Sequence, residues 1–434
     1  MQTKAKEKIN IVTLGCAKNL VDSEVLMTQL KGNKKDVFHQ REDINPDIVI
    51  INTCGFIDKA KQESIDTILK HAKDKEEGTI KKLYVTGCLS ERYKDDLKTD
   101  IPEVDGFYGT RELPELLKNF EAKYRNELLG DRIITTDSHY AYLKISEGCD
   151  RPCSFCAIPL MRGRHISKPM DQIIIEAKNL VRNGVKEIML IAQDSTYYGI
   201  DIYKKRAMSE LLKKLSDVDG LDWIRIHYAY PAGFPMDIIE VMRERDNICN
   251  YLDIPLQHGS TNILKIMKRG ITREKTDELI KNIRDINPEI ALRTTLIAGH
   301  PCETEKDFQE MYDFVERSKF DRLGIFTYSH EEGTTAHKLE DDVPEQVKRS
   351  RSNKIMALQQ KISTEKNKNK VGKRVKVLID RVDANNYYGR TEQDSPEVDN
   401  EVIIPSKEMH LRVGDFYDIK ITDSKEYDLI GKLD

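Results

Sequence analysis

The chain has 434 residues, room for about three domains at roughly 150 residues each. Lys+Arg (70) and Asp+Glu (74) leave a formal net charge of -4, which excludes a globally basic nucleic-acid coat, while 39% hydrophobic residues with only 23 Gly and 14 Pro exclude long disordered tracts. No apolar run approaches the roughly 18–20 residues that span a bilayer, and the start, MQTKAKEKIN, lacks a signal-peptide core, so no membrane contact and a cytoplasmic location are expected. In a reducing compartment, eight cysteines point to metal ligands or catalytic groups rather than disulfides. The first stretch repeats one pattern three times: an apolar β-type run ends in a cysteine, INIVTLGC to Cys16, DIVIINTC to Cys54 and KKLYVTGC to Cys88. Helical periodicity follows the first two, as in NLVDSEVLMTQLKG. Strands apolar on both faces that alternate with helices predict a doubly wound parallel sheet over residues 1–135. Ligands bind at the carboxyl edge of such a sheet, so Cys16, Cys54 and Cys88 should converge there. The plainer reading is three buried cysteines at strand ends.

After a polar linker around 131–139 a second β/α series begins. Its strand candidates are Tyr142–Ile145, Glu187–Ala192, Trp223–Tyr230, Tyr251–Pro255, Ala291–Ile297 and Leu323–Tyr328, with helical segments such as Met170–Val181, Met208–Leu215 and Asp307–Arg317 between. Eight units would close a barrel; six predict an open (β/α)6 barrel over residues 136–369. From Pro344 to about Lys370 the pattern becomes a long, polar, basic helix. Residues 348–376 carry eleven Lys/Arg against one acid, Glu365, a local net of +10. Residues 377–434 reverse this to -7, and their period-two alternation (RVKVLIDRVD, NEVIIPS, FYDIKIT) predicts a small five-strand antiparallel β-barrel over 370–434.

The strongest chemical signal is Cys149-x3-Cys153-x2-Cys156, directly after the first strand of the second series. Three thiolates on one loop can bind three irons of a [4Fe–4S] cube and leave the fourth open. Zinc competes as a reading, but a structural zinc needs a fourth ligand; His165 is nine residues on, flanked by basic residues.

This loop, followed by a six-unit β/α series, resembles the radical S-adenosylmethionine (SAM) superfamily. Joined to the Cys16/Cys54/Cys88 set, it resembles the methylthiotransferases over essentially the whole chain, with a C-terminal barrel of the TRAM, OB-like type. The resemblance implies a first [4Fe–4S] cluster on Cys149, Cys153 and Cys156 that cleaves SAM to a 5′-deoxyadenosyl radical. It implies a second, auxiliary cluster on Cys16, Cys54 and Cys88 that carries the methylthio sulfur, and two SAM per turnover. It implies SAM contacts at Gln193 and Asp194, at Gln257 and His258, and at Arg293 and Gly299, all taken to lie at strand carboxyl ends. His300 and Cys302 depart from the small or apolar residues usual there. Cys249 and Cys302 lie outside both sets and are expected not to be ligands. A reduced flavodoxin or ferredoxin is the implied electron donor, and a monomer is expected.

The family has a branch acting on adenosine in transfer RNA and a branch acting on an aspartate β-carbon of ribosomal protein uS12. WIRIHYAYP at Trp223–Pro231, TYSHEEGTTAHKL at Thr327–Leu339 and SEGCDRPCSFCAIPLMRGR resemble the second. The acidic C-terminal barrel argues the same way, since it would repel phosphates and attract a basic ribosomal protein, free or in the ribosome. From a different class, a non-catalytic iron–sulfur scaffold would share the cysteines but not cleave SAM.

Overall fold

The computed structural model describes residues 7–128, 130–406 and 410–433. The N-terminal part is a five-stranded, all-parallel sheet of β1 (Lys8–Thr13), β2 (Asp36–His39), β3 (Ile48–Thr53), β4 (Lys82–Gly87) and β5 (Gly106–Phe107), in the order β2-β1-β3-β4-β5. In β3, Ile48 and Ile50 pack with Leu26 and Leu30 of helix α1 (Ala17–Gly32) on one face. Val49 and Ile51 pack with Ile68 of α2 (Asp58–Glu76) and Leu97 of α3 (Cys88–Asp100) on the other. The period-two alternation therefore reports a sheet buried on both sides. The strand order reverses between β1 and β3, the point at which such sheets open a crevice beyond their carboxyl ends. Cys16 and Cys54 follow these two strands and Cys88 follows β4. The short β2 and β5 carry too few apolar residues to announce themselves in the sequence.

The second series forms an open, six-stranded parallel sheet in simple sequential order: β6 (Tyr140–Lys144), β7 (Glu187–Ile191), β8 (Trp223–Ile226), β9 (Ile248–Asp253), β10 (Ala291–Ala298) and β11 (Arg322–Thr327). All six anticipated strands are present. The third is shorter than its apolar run, because the chain leaves the sheet at His227 and takes Tyr228 into the left-handed region (φ 61°). The long helix spans Glu345–Lys368 and packs Ile355, Leu358 and Ile362 into the barrel core. Part of its basic charge faces inward: Lys348 pairs with Asp341, Arg351 with Glu303 and Lys366 with Asp321.

The C-terminal strands β12 (Arg374–Val382), β13 (Asn386–Thr391), β14 (Val402–Pro405), β15 (Phe416–Ser424) and β16 (Leu429–Leu433) close into a barrel. Closure needs one parallel pair, β14 with β16, so the barrel is not wholly antiparallel. Its acids are not simply a negative coat. Asp380, Glu392, Asp394, Glu397, Asp399 and Asp415 turn toward the larger barrel and bond His139, Asn250, Arg322, Tyr140 and Tyr142, Tyr251 and Lys186 respectively. Six of the fourteen acids behind the -7 therefore hold the molecule together, which weakens the argument that this charge recruits a basic partner. No helix among the described residues is long and apolar enough to cross a membrane.

Candidate active site

All six cysteines of the two triplets line one cavity of about 540 Å³ between the N-terminal sheet and the six-stranded barrel. The three N-terminal cysteines reach it because the strand-end loops approach closely. Gly15 sits at φ 91°, and a Cβ there would lie 2.6 Å from the Cβ of Cys54. Gly87, at φ 100°, lies against the backbone of Thr53. Only glycine adopts these angles without strain and without displacing a neighbouring cysteine loop. Asn19 ties the loops together: its Nδ2 donates to the carbonyls of Leu14 and Thr53, at 2.7 and 3.0 Å, and its Oδ1 is 3.7 Å from Cys88 Sγ.

On the barrel side, Arg269 Nη1 is 3.1 Å from Cys153 Sγ and its guanidinium lies 4.3 Å from the centre of the Tyr230 ring. The Tyr230 hydroxyl donates to the Arg269 carbonyl and stands 3.8 Å from the same sulfur. Arg151 covers the other sector of Tyr230 at 4.1 Å and is held by Asp194 at 2.7 Å. From the N-terminal side, Lys18 Nζ sits 3.1 Å over the ring of the strained Tyr228. Phe155, Ile158 and Met161 give the wall an apolar sector, to which Phe56 and Phe326, 41% and 57% exposed, add.

Burial pushes the thiols up: Cys88 and Cys156 to about 12, Cys149 to about 11, and Cys54 above its ordinary value. Such thiols ionise only with a positive partner, which iron or the flanking guanidiniums supply. None of the eight cysteines is in a disulfide. No three His, Cys, Asp or Glu among the described residues are grouped for a single metal ion. A structural zinc takes four ligands, whereas three free thiols on one side of the cavity are a donor set that leaves one iron of a four-iron cube open.

The cavity wall includes Gln193, whose Nε2 is 3.4 Å from Glu147, and Gln257, held at φ 77°. The other four anticipated residues do not line it. Asp194 is buried and occupied by Arg151 and by the backbone and hydroxyl of Thr196. His258 is fully buried between the Ser260 amide and Glu303. The Gly299 amide donates to the same Glu303, and a Cβ there would strike Lys348. Arg293 lies in the first half of β10, not at its carboxyl end, and pairs with Asp253 and with Asp399 of the C-terminal barrel. Cys249 is buried beside Trp223 and Leu378, and Cys302 is exposed; neither lines the cavity. Sequence reasoning passed over Lys18, Arg151, Arg162, Tyr228, Tyr230 and Arg269. Arg151 lies within the cysteine motif, Arg162 follows it by six residues and both tyrosines stand in WIRIHYAYP, but Arg269 (IMKRG) carries no local signal.

The two halves of the site are clamped. Glu331, in the HEEGTT turn, is 3% exposed and takes Arg92 at 2.8 Å and Lys61 at 3.0 Å from the N-terminal part. Glu331→Ala leaves both cations short of a partner. An expected loss of about 2 kcal/mol should appear as an earlier denaturation midpoint and faster amide exchange in α3.

Three family models match: the radical SAM superfamily over residues 143–315, the uncharacterized protein family UPF0004 over 8–109 and the TRAM domain over 371–433. The chain is 59% identical to the ribosomal protein uS12 methylthiotransferase RimO of Cytophaga hutchinsonii, covering 99% of this chain and 98% of that protein. It is 57% identical to the protein of the same name from Christiangramia forsetii, covering 100% and 96%. The one from Bacteroides thetaiotaomicron is 53% identical over 99% and 98%. Among solved structures, the radical SAM methyltransferase TsrM of Kitasatospora setae matches with a TM-score of 0.56 at 14% identity, covering 74% of this chain and 75% of that one, a likeness of fold alone. With cysteine-lined cavity, open barrel and full-length relatives in agreement, the chain belongs to the RimO family of radical SAM methylthiotransferases.

Proposed function

We propose that this enzyme adds a methylthio group to the β-carbon of an aspartate in ribosomal protein uS12. One [4Fe–4S] cluster would sit on Cys149, Cys153 and Cys156 and a second on Cys16, Cys54 and Cys88. When bound, these groups and SAM supply a low-potential electron, the radical that removes a substrate hydrogen, and an open iron for the sulfur. The observation that carries the reading is that both cysteine triplets face one cavity.

The chain's own residues have definable tasks. Arg269 supplies a positive charge against Cys153 and, stacked on Tyr230, holds the rim of that triplet. Gln193 and Gln257 offer amide groups for SAM from the strand ends on either side of β8. Asp194 acts one layer out by aiming Arg151, and His258 and Gly299 act through their shared Glu303, which Arg351 also grips. The apolar wall from Phe155 to Met161 keeps water from a reactive carbon radical. Units 1–135, 136–369 and 370–434 would divide the work into sulfur carrier, radical generator and accessory barrel, in a cytoplasmic monomer served by a reduced flavodoxin or ferredoxin.

Mass spectrometry of uS12 from cells with and without the gene tests the reading: the methylthio mass should vanish with the gene. An unchanged uS12, with methylthio-adenosine lost from transfer RNA, would overturn it.

A further inference from the structure

Directly after the barrel cysteines, the chain forms a short helix, Ile158–Arg162, and sends the last side chain back across the interface. Arg162 is 2% exposed. Its Nη1 lies 2.9 Å from Asp22 of α1 and 3.0 Å from Glu147, two residues before Cys149. Its Nη2 donates to Asn19 Oδ1, the atom that also faces Cys88 Sγ. The same segment is tied to the N-terminal part by three further bonds, Thr110 Oγ1 to the Met161 carbonyl at 2.8 Å, Arg111 to the Arg162 carbonyl, and Arg111 to the Arg164 carbonyl at 3.0 Å. Met161 itself packs against Cys88. One side chain thus touches the scaffold of both triplets.

The charges around it nearly cancel. Asp22 and Glu147 are shared by Arg162 and Lys144. Removing Arg162 leaves two acids and one cation beside the N-terminal triplet. Net charge and hydrogen bonding around the sulfurs set a cluster's potential, and a guanidinium remains charged at any working pH.

We propose that Arg162 is a positioning residue shared by the two cysteine triplets: it fixes the Cys88 side of the N-terminal triplet through Asn19 and lends that side the positive charge that raises the potential of a cluster bound there. In this way a residue of the radical-generating loop sets the redox behaviour of the sulfur-carrying centre. The inference rests on the N-terminal triplet holding a cluster, as proposed above.

The test uses the full chain carrying C149A, C153A and C156A, reconstituted anaerobically, so that only the N-terminal centre titrates. If this protein holds no iron, the two-cluster reading fails before any potential is measured. With about four irons bound, R162Q should lower the potential followed by electron paramagnetic resonance, and R162K should restore most of it. D22N, which removes an opposing acid and touches no cysteine, should raise it. In the protein with all six cysteines, R162Q should form roughly tenfold more 5′-deoxyadenosine per methylthio product, as expected for about 1.4 kcal/mol of lost coupling. An unchanged potential in R162Q with iron retained would overturn the inference. Where R162Q does not load iron, an unchanged or lowered potential in D22N would overturn it equally.

Discussion

Replacing Cys149, Cys153 and Cys156 together by Ala should abolish formation of 5′-deoxyadenosine from SAM, whereas replacing Cys16, Cys54 and Cys88 should leave that cleavage intact and stop sulfur insertion. Iron content should fall from about eight to about four per chain in either case if each triplet holds one cube, as proposed. The two effects separate because the triplets come from different elements. The barrel set is carried on one loop after β6, while the N-terminal set is assembled from three strand ends. Anaerobic reconstitution followed by iron assay and product chromatography checks both arms. Residual cleavage in the first variant, or loss of cleavage in the second with its iron retained, would contradict the assignment.

Arg390→Ala should release the C-terminal barrel from the rest of the molecule at a cost of about 3–5 kcal/mol, the usual penalty for breaking a buried ion pair from one side. Arg390 bonds Glu187 at 2.8 Å and Asp380 at 2.7 Å, and Glu187, wholly buried in β7, is shared with Arg225. Without Arg390 the paired carboxylates keep their burial and lose their main counter-charge. Denaturant unfolding should lose a single transition and show the barrel melting first, and limited proteolysis should cut near 370.

Acid should weaken the same interface. Burial alone would push Glu187, Asp380 and Asp394 up, but Arg390 and Arg225, Arg390 with His139, and Arg322 with Lys370 respectively outweigh it and hold all three below the ordinary carboxylate range. Depressed carboxylates stabilise the fold above about pH 4 and lose that contribution as pH falls through their folded values. His227, against Ser395 of the C-terminal part, is lowered by burial to about 3. It stays neutral in the fold while the unfolded chain protonates below about 6.5, so it too favours the folded state less as the solution is acidified. Asp399 opposes the trend, since burial raises its carboxyl. The expected profile is a fall in stability that starts near pH 6 and steepens below about 4, and it should flatten in Arg390→Ala.

Local sequence determined the periodic parts of this protein. Apolar runs on both faces of the strands, the C-x3-C-x2-C spacing and the glycines beside Cys16 and Cys88 all act over a few residues, so six barrel strands, the long helix and both cysteine sets were legible along the chain. The fold alone decided what depends on distant partners. Gln193 and Gln257 reach the cavity while Asp194, His258, Arg293 and Gly299 do not: Arg151, Glu303 and Asp399, which occupy the first three, come from other loops and another barrel, and the Gly299 amide turns to Glu303 within its own loop. The charge reversal near residue 377 suggested a surface that attracts a basic partner. In the folded molecule much of it faces inward, since a buried arginine such as Arg322 or Arg390 needs a carboxylate within bonding distance, and chain topology rather than local spacing determines which one it meets.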